Sequence, residues 1–446
     1  MSAPDRGAPF SNRELAALIL PLFVEQCLTI AVGIADSMMI ASVGEAAVSA
    51  VSLVDSIMML VNNLCAALAT GGAVIAGQYL GRQEPDRACR AGNQLIFAAG
   101  LLGLTIAAVL LLGQGFILGT VFGKITPQVA GYCRTYLRWT ACSVPFIALY
   151  SAGAALFRTM GNSRVSMYVS LLMNAVNISG NALLIFGLKW GVAGVAVPTL
   201  CARALAAILI LVLFAHPAPL CLRPSQMKPD GALMGQILYI GLPNGIENSI
   251  SQVGRVLTFS MVSTFGTAAT AANAVGHTVG AFQTLPAIAI SLALTAVISR
   301  SAGAGNFAQV RRDTHRLVGL SYLSLALLNI PLFFALPLIL RLYNLSPEAS
   351  HLAAIIYVIN GLANMALWAA AFAIPTTLRA AGDVRYCMTV SILSMWICRI
   401  GFGWLLAYPC GVGMLGIWAG MVLDWAARAA CFLWRFHGKK WEKNIL

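Results

Sequence analysis

Long apolar runs separated by short polar segments dominate the chain. A bilayer core of about 30 Å needs roughly 20 apolar residues in one helix, and twelve runs reach that length. In chain order they cover residues 14–40, 47–79, 92–122, 131–157, 165–188, 191–215, 233–264, 268–299, 317–343, 350–378, 386–409 and 412–436. The pattern predicts an all-α polytopic membrane protein with twelve transmembrane helices, some of them tilted or kinked at Pro and Gly.

The composition excludes a soluble globular protein. Hydrophobic residues make up 59% of the 446 residues and charged residues only 10%, whereas soluble domains have about 25% charged residues. The net charge of +13 comes from short basic clusters between the apolar runs, which indicates membrane topology and not a nucleic-acid partner. The eleven cysteines are odd in number and show no C-x-x-C spacing, so no disulfide or zinc site is expected.

The Lys and Arg residues predict the orientation, because cytoplasmic loops carry the excess of positive charge. Nineteen fall at one set of alternating run ends, five at the opposite set and four within runs. This distribution predicts that both termini are cytoplasmic. No transit peptide is recognisable, which favours the bacterial cytoplasmic membrane.

The two halves of the chain repeat each other at an offset of about 222 residues. Leu20-Pro21 with Glu25 matches Leu242-Pro243 with Glu247, and LFRTMGNSRVSM from Leu156 matches TLRAAGDVRYCM from Thr377. Six spans in each half give both halves the same orientation, as in the parallel repeats of some secondary transporters, although a channel or a membrane enzyme could share this symmetry. We therefore expect one six-helix bundle in residues 1–215, a cytoplasmic linker in 216–232, a second bundle in 233–436 and a cytoplasmic tail in 437–446.

Several segments resemble the multidrug and toxic compound extrusion (MATE) family, in particular its DinF-like or Gram-positive-type branch. They are LPLFVEQ and IADSMMIASVG in span 1, RTMGNSRVSM and NAVNISGN in spans 4 and 5, GLPNGIENSISQVGRVLT in span 7, TLRAAGDVR after span 10 and GIWAGMVLDWAARA in span 12. The resemblance implies two bundles around a central cavity, alternating access, and export driven by H⁺ or Na⁺.

Asp36 is the leading candidate for ion coupling, because a carboxylate within a membrane span is costly unless it is protonated, paired or in contact with water. The resemblance places a cation site at Asp36, Asn177, Asn181 and Thr199. Many relatives have Asp at the position of Asn181. Without that second charge Na⁺ coordination is weakened, so we expect proton coupling, with a weak Na⁺ site as the alternative and a static hydrogen bond as the structural explanation.

Glu25 and Glu247 are repeat-related carboxylates that follow Pro21 and Pro243. We expect the two prolines to act as hinges. Glu25 lies almost three turns before Asp36 on the same face of span 1, so it is a second coupling candidate. Glu247 is a candidate for substrate binding, but an ion pair with Arg255 or with a residue on another helix explains it equally well.

The remaining candidates for the substrate cavity are polar, aromatic or Met side chains, which suit amphipathic cations. They are Asp55, Gln252, Arg255, Gln283, Met38, Met39, Tyr150, Trp368 and Trp396. Packing in the core or against lipid explains such residues at least as well. Asp424 and Arg428 are spaced for a structural i,i+4 pair, and Arg158 and Arg379 are expected to cap helices or hold lipid headgroups.

These features together predict a secondary antiporter that exports cationic or amphipathic organic compounds in exchange for protons, without a cofactor other than the coupling ion. A flippase for lipids or polysaccharides is the alternative, since Arg255 and Arg399 lie within spans. No serine-hydrolase elbow, zinc-protease motif or P-loop occurs in the sequence, so an enzyme is not expected. Two fused repeats suit a functional monomer surrounded by lipid.

Overall fold

The computed structural model describes residues 10–123, 125–216, 220–223, 228–343 and 345–443, and these residues contain helices but no strand. The long helices are α1 (Asn12–Ala41), α2 (Glu45–Gly81), α3 (Pro85–Leu112), α4 (Pro127–Thr159), α5 (Ser163–Gly187), α6 (Ala193–Phe214), α7 (Gly231–Ser263), α8 (Thr267–Gly303), α9 (Phe307–Leu342), α10 (Pro347–Ala380), α11 (Val384–Ala407) and α12 (Met414–His437). Short helical turns follow α3 at Gln114–Phe116 and Ile117–Val121, and α12 at Lys440–Lys443.

Eleven of these helices are long and apolar enough to cross a membrane. The remaining one, α7, has 33 residues but carries the polar side chains of Glu247, Gln252 and Arg255 within its length. The prediction of twelve helices is therefore confirmed.

The helix ends follow from local chemistry. Ser11 and Glu14 form a capping box at the start of α1. Tight turns need glycine where φ is positive, and these glycines recur in both halves of the chain: Gly44 (φ 128°) and Gly266 (φ 97°) precede α2 and α8, while Gly161 (φ 84°) and Gly382 (φ 92°) precede α5 and α11.

The chain folds into two compact units: residues Ser11–Gly245 form an N-terminal unit, and Phe10 with the residues from Ile246 onward form a C-terminal unit. The change of unit falls within α7, after the predicted linker 216–232. Close packing explains this position, because a Cβ atom on Gly71 of α2 would lie 2.6 Å from the carbonyl oxygen of Ile237 and 2.9 Å from the Cα atom of Gly241. The first turns of α7 thus belong to the N-terminal unit.

Candidate functional site

The four residues predicted for the cation site, Asp36, Asn177, Asn181 and Thr199, meet in the N-terminal unit. The Asn181 amide nitrogen donates to the Asp36 carboxylate at 2.7 Å and to the Asn177 oxygen at 3.4 Å. The Asn177 amide nitrogen in turn donates to the Thr199 hydroxyl at 3.0 Å. Helices α1, α5 and α6 therefore bring one carboxylate, two amides and one hydroxyl into a continuous hydrogen-bond chain, the coupling cluster.

Asn181 determines what this cluster can hold. Its side chain is fully buried, and its amide oxygen has no hydrogen-bond partner among the described residues. The group that faces Asp36 is an NH₂ donor. A Na⁺ ion would need the oxygens of Asp36, Asn177, Asn181 and Thr199 to converge on it, and the Asn181 amide would have to rotate first.

Two residues that the sequence analysis did not select lie beside the coupling cluster. Tyr136 donates its hydroxyl to Asp55 at 3.1 Å, and Arg203 donates to the Ser143 hydroxyl at 2.8 Å. The Arg203 guanidinium also attracts the carboxylates of both Asp36 and Asp55. The signal for Arg203 was present in the sequence, since an arginine within a membrane span needs a partner.

Glu25 does not join the coupling cluster, because eleven residues of helix separate it from Asp36, or about 16 Å along the axis. It is buried, and its carboxylate accepts from the hydroxyls of Ser166 at 3.0 Å and Tyr150 at 3.4 Å. Arg158 approaches it at 3.8 Å. Tyr150, predicted as a substrate contact, thus donates its hydroxyl to a buried carboxylate.

Glu247 has the equivalent arrangement in the C-terminal unit. Its carboxylate forms an ion pair of 2.6 Å with Arg379 of α10, and its side chain is 6% exposed. Of the two explanations offered by the sequence, the pair with another helix is present, while Arg255 instead donates to Gln252. Arg158 and Arg379, expected to be structural through helix capping or lipid headgroups, form ion pairs with the repeat-related glutamates Glu25 and Glu247.

A cavity of about 370 Å³ lies within the C-terminal unit. Three arginines line it: Arg255, Arg399 and Arg428. Asp424, which is fully buried, pairs with Arg399 at 2.9 Å and with Arg428 at 2.8 Å. The predicted i,i+4 pair is therefore present, but the carboxylate is shared with a second arginine.

Aromatic side chains form much of the cavity wall: Trp368, Phe372, Trp418 and Trp425. The segments Asn364–Ala373 of α10 and Met395–Phe402 of α11 are π-helical, a wide geometry that is frequent at functional sites. They carry Trp368, Phe372 and Arg399 into the cavity.

Two of the other predicted substrate contacts lie at or behind this cavity. Trp368 forms part of the wall. Gln283 is buried behind it and accepts from Asn360 at 2.7 Å and from Asn364 at 3.4 Å.

The rest of the predicted residues lie elsewhere. Met38 is 71% exposed and Trp396 43% exposed, and Met39 is half-buried, outside the cavity lining. Pro21 and Pro243 lie inside continuous helices, α1 and α7. Among the described residues, no group of three or more His, Cys, Asp or Glu side chains could hold a metal ion.

Comparison with known families explains the repeat. The MatE family model matches twice, at residues 21–183 and 243–405. Both matches have the same length, and they are offset by 222 residues. They confirm the internal duplication and the resemblance to the MATE family.

Relatives and solved structures agree with this match. The probable multidrug resistance proteins NorM of Thermotoga maritima and YoeA of Bacillus subtilis are each 25% identical, over 99% and 98% of this chain and 96% of their own lengths. An outward-facing multidrug resistance MATE transporter of the MOP superfamily has a TM-score of 0.91 at 16% identity, over 98% of both chains. A MOP superfamily transporter from Pyrococcus furiosus, whose binding pocket is described as having reverse polarity, has a TM-score of 0.88 at 17% identity, over 95% of this chain and 96% of its own. The chain belongs to the MatE family of transmembrane multidrug efflux transporters.

Proposed function

We propose that this transporter is a proton-coupled antiporter that exports amphipathic organic compounds. The observation that carries the proposal is the 2.7 Å hydrogen bond from Asn181 to Asp36. It links a carboxylate within a membrane helix to a neutral amide, where a second carboxylate would favour a metal cation.

The Asp36–Asn181 pair can accommodate both protonation states of the carboxylate. When Asp36 is ionised, it accepts from the Asn181 NH₂ group, as observed. When Asp36 is protonated, its O–H can donate to the Asn181 oxygen after the amide rotates, and that oxygen is a buried acceptor without another partner among the described residues. The rotation gives the new O–H an acceptor that is otherwise unpaired, and it replaces the hydrogen bonds that the Asn181 NH₂ group donates to Asp36 and Asn177.

The substrate does not need a positive charge under this proposal. The sequence favoured organic cations because aromatic and Met side chains suit them and because Asp55 and Glu247 were candidates for the substrate cavity. Asp55 accepts from Tyr136, and Glu247 is neutralised by Arg379. Apolar and aromatic surface can bind a drug-sized compound whatever its charge, so organic cations are one substrate class among amphipathic compounds.

Ethidium efflux from proteoliposomes tests the coupling. We expect an imposed pH gradient to drive efflux by the wild type, and Asp36→Asn to abolish it. Asp86→Asn is the matched control, because Asp86 is 82% exposed at the start of α3 and its loss should leave efflux unchanged. Efflux driven by a Na⁺ gradient alone would contradict proton coupling.

A second candidate function is the flipping of an anionic lipid. One observation favours it: Arg255, Arg399 and Arg428 line a single cavity. Reconstituted protein would then move fluorescent phosphatidylglycerol between leaflets faster than protein-free vesicles do. Unchanged flipping rates together with proton-driven ethidium efflux would exclude this function in favour of the first.

A further inference from the structure

We propose that the cavity of the C-terminal unit is a binding site for the anionic group of an organic ligand. Three arginines line it, and one carboxylate, Asp424, pairs with two of them. The lining therefore has a formal excess of two positive charges. Charge of this kind within a membrane bundle is costly without a counterion, and a bound anion would supply one.

The donors of this site are incompletely paired. Arg255 contacts Gln252, and no carboxylate of the described residues forms an ion pair with it. The Nε atom of Arg399 and the indole nitrogen of Trp425 are buried without an acceptor among those residues. Buried donors nearly always have a partner. Carboxylate, phosphate and sulfonate groups are acceptors that match the guanidinium geometry.

The side chains of the cavity wall indicate what the uncharged part of the ligand should be. Trp368, Trp418 and Trp425 offer flat apolar surfaces, and the Arg428 guanidinium lies 5.7 Å from the ring centre of Phe372, which fixes its position. A volume of about 370 Å³ suits a small ligand. The class is an amphipathic anion with an aromatic or compact apolar body.

The internal repeat supports a specialised role for this cavity. At the offset of 222 residues, members and neighbours of the coupling cluster correspond to cavity residues. The pairs are Asp55 with His277, Thr199 with Met421, and Arg203 with Trp425. The same place in the duplicated fold thus carries two carboxylates and one arginine in the N-terminal unit, and three arginines and one carboxylate in the C-terminal unit.

Equilibrium binding to the full-length protein in phosphatidylcholine nanodiscs tests the inference. The probe is 2-naphthoate, compared with its neutral analogue 2-naphthamide and the cation 2-naphthylmethylamine, with tryptophan fluorescence as the readout. We expect 2-naphthoate to bind at least about tenfold more tightly than either analogue, the difference that charged hydrogen bonds provide.

Variants locate the bound charge. Arg255→Gln, which breaks no ion pair, should weaken 2-naphthoate binding at least about tenfold and leave 2-naphthamide binding unchanged. Arg399→Gln should do the same, since Arg428 still pairs with Asp424. Arg341→Gln removes an exposed charge at the end of α9 and should change neither. Equal binding of the anion and the cation, or no response to Arg255→Gln in a folded protein, would overturn the site.

A second arm of the experiment identifies the source of the anion. If phosphatidylglycerol added to the nanodiscs competes with 2-naphthoate in the wild type, the natural ligand is a lipid phosphate; if it does not compete, the ligand is a soluble anion. The anion site itself does not depend on the proposed function. Only the further step, that the bound anion is a transported substrate, rests on it. Binding is measured without a gradient, so a failure of proton coupling and a failure of the anion site are distinguishable.

Discussion

Asn181 lies where a single change of side chain should change the coupling ion. Its amide nitrogen is 2.7 Å from the Asp36 carboxylate, so an aspartate at this position would bring two negative charges together. Two carboxylates at such a distance do not both stay ionised unless a cation or a shared proton lies between them. The oxygens of Asn177 and Thr199 would complete a coordination shell for that cation.

We therefore expect Asn181→Asp to make ethidium efflux respond to an imposed Na⁺ gradient, which the wild type should not do. Flux in proteoliposomes under separate Na⁺ and pH gradients measures this. Asn174→Asp is the control, because Asn174 lies about two turns earlier in the same helix and contacts Ser170. If Asn181→Asp still responds to the pH gradient alone, the amide is not what excludes Na⁺.

The ion pair of Glu247 with Arg379 should stabilise the C-terminal unit. Both side chains are largely buried, and their charged atoms are 2.6 Å apart. Glu247→Gln leaves a buried guanidinium without an acid partner and should cost about 3 kcal/mol. Adding Arg379→Gln should recover part of that loss.

Thermal unfolding in detergent of the wild type, Glu247→Gln, Arg379→Gln and the double variant gives the coupling energy of this pair. The repeat-related pair, Glu25 with Arg158, is longer at 3.8 Å, and Glu25 has the hydroxyls of Ser166 and Tyr150 as further partners. Its coupling energy should be smaller. An equal or larger value for Glu25 and Arg158 would show that the distance does not determine the strength of these pairs.

Among the helices, α11 and α12 approach each other through glycine. A Cβ atom on Gly420 would lie 2.7 Å from the Cα atom of Gly403 and 3.0 Å from the carbonyl oxygen of Arg399. Gly416, one turn earlier, meets the backbone of Ala407 equally closely. Small residues at this spacing let membrane helices pack backbone to backbone, and here they also hold Arg399 next to Asp424.

Gly420→Ala should therefore destabilise the protein by about 1–3 kcal/mol, the usual cost of overpacking. Gly319→Ala is the matched control in α9, since a Cβ atom there meets nothing within 4 Å and alanine favours the helix by about 1 kcal/mol. The midpoint of thermal unfolding in detergent should fall for the first variant and stay or rise for the second. A decrease of equal size in both would contradict the close approach.

The number of helices could be predicted from the sequence because a backbone in lipid must satisfy its own hydrogen bonds. Their ends could not be predicted equally well. The run predicted from residue 317 belongs to a helix that begins at Phe307, because hydropathy follows the membrane whereas helical hydrogen bonding continues into the polar segment that carries Arg311 and Arg312.

The candidate site, too, could be predicted only in part from the sequence. Asn177 and Asn181 could be placed together because their spacing is one helical turn. The partner of Glu247 could not, because Arg379 stands near the end of α10 and a long flexible side chain there can extend outward or fold inward. Which direction it takes depends on an acid 132 residues away, and no local pattern records that.

At the scale of the whole molecule, duplication has been followed by divergence of charge. Each unit keeps a glutamate–arginine pair and the glycine turns of the repeat. The polar groups deeper in each unit differ, with Asp36 and Asp55 in one and Arg255, Arg399 and Arg428 in the other. The halves of the fold can therefore serve different ligands, a proton in the N-terminal unit and an organic anion in the C-terminal unit.

This division of roles predicts that binding and coupling are separable. Asp36→Asn should lose ethidium efflux driven by a pH gradient, yet bind 2-naphthoate within about twofold of the wild type, because its change lies outside the unit that holds the three arginines. Arg255→Gln should lose most of that binding. Both quantities are measured on one preparation, by flux in proteoliposomes and by fluorescence titration in nanodiscs. Loss of 2-naphthoate binding in a folded Asp36→Asn protein would mean that the two units do not act as separate sites, because a neutral change in one unit would then control the anion affinity of the other.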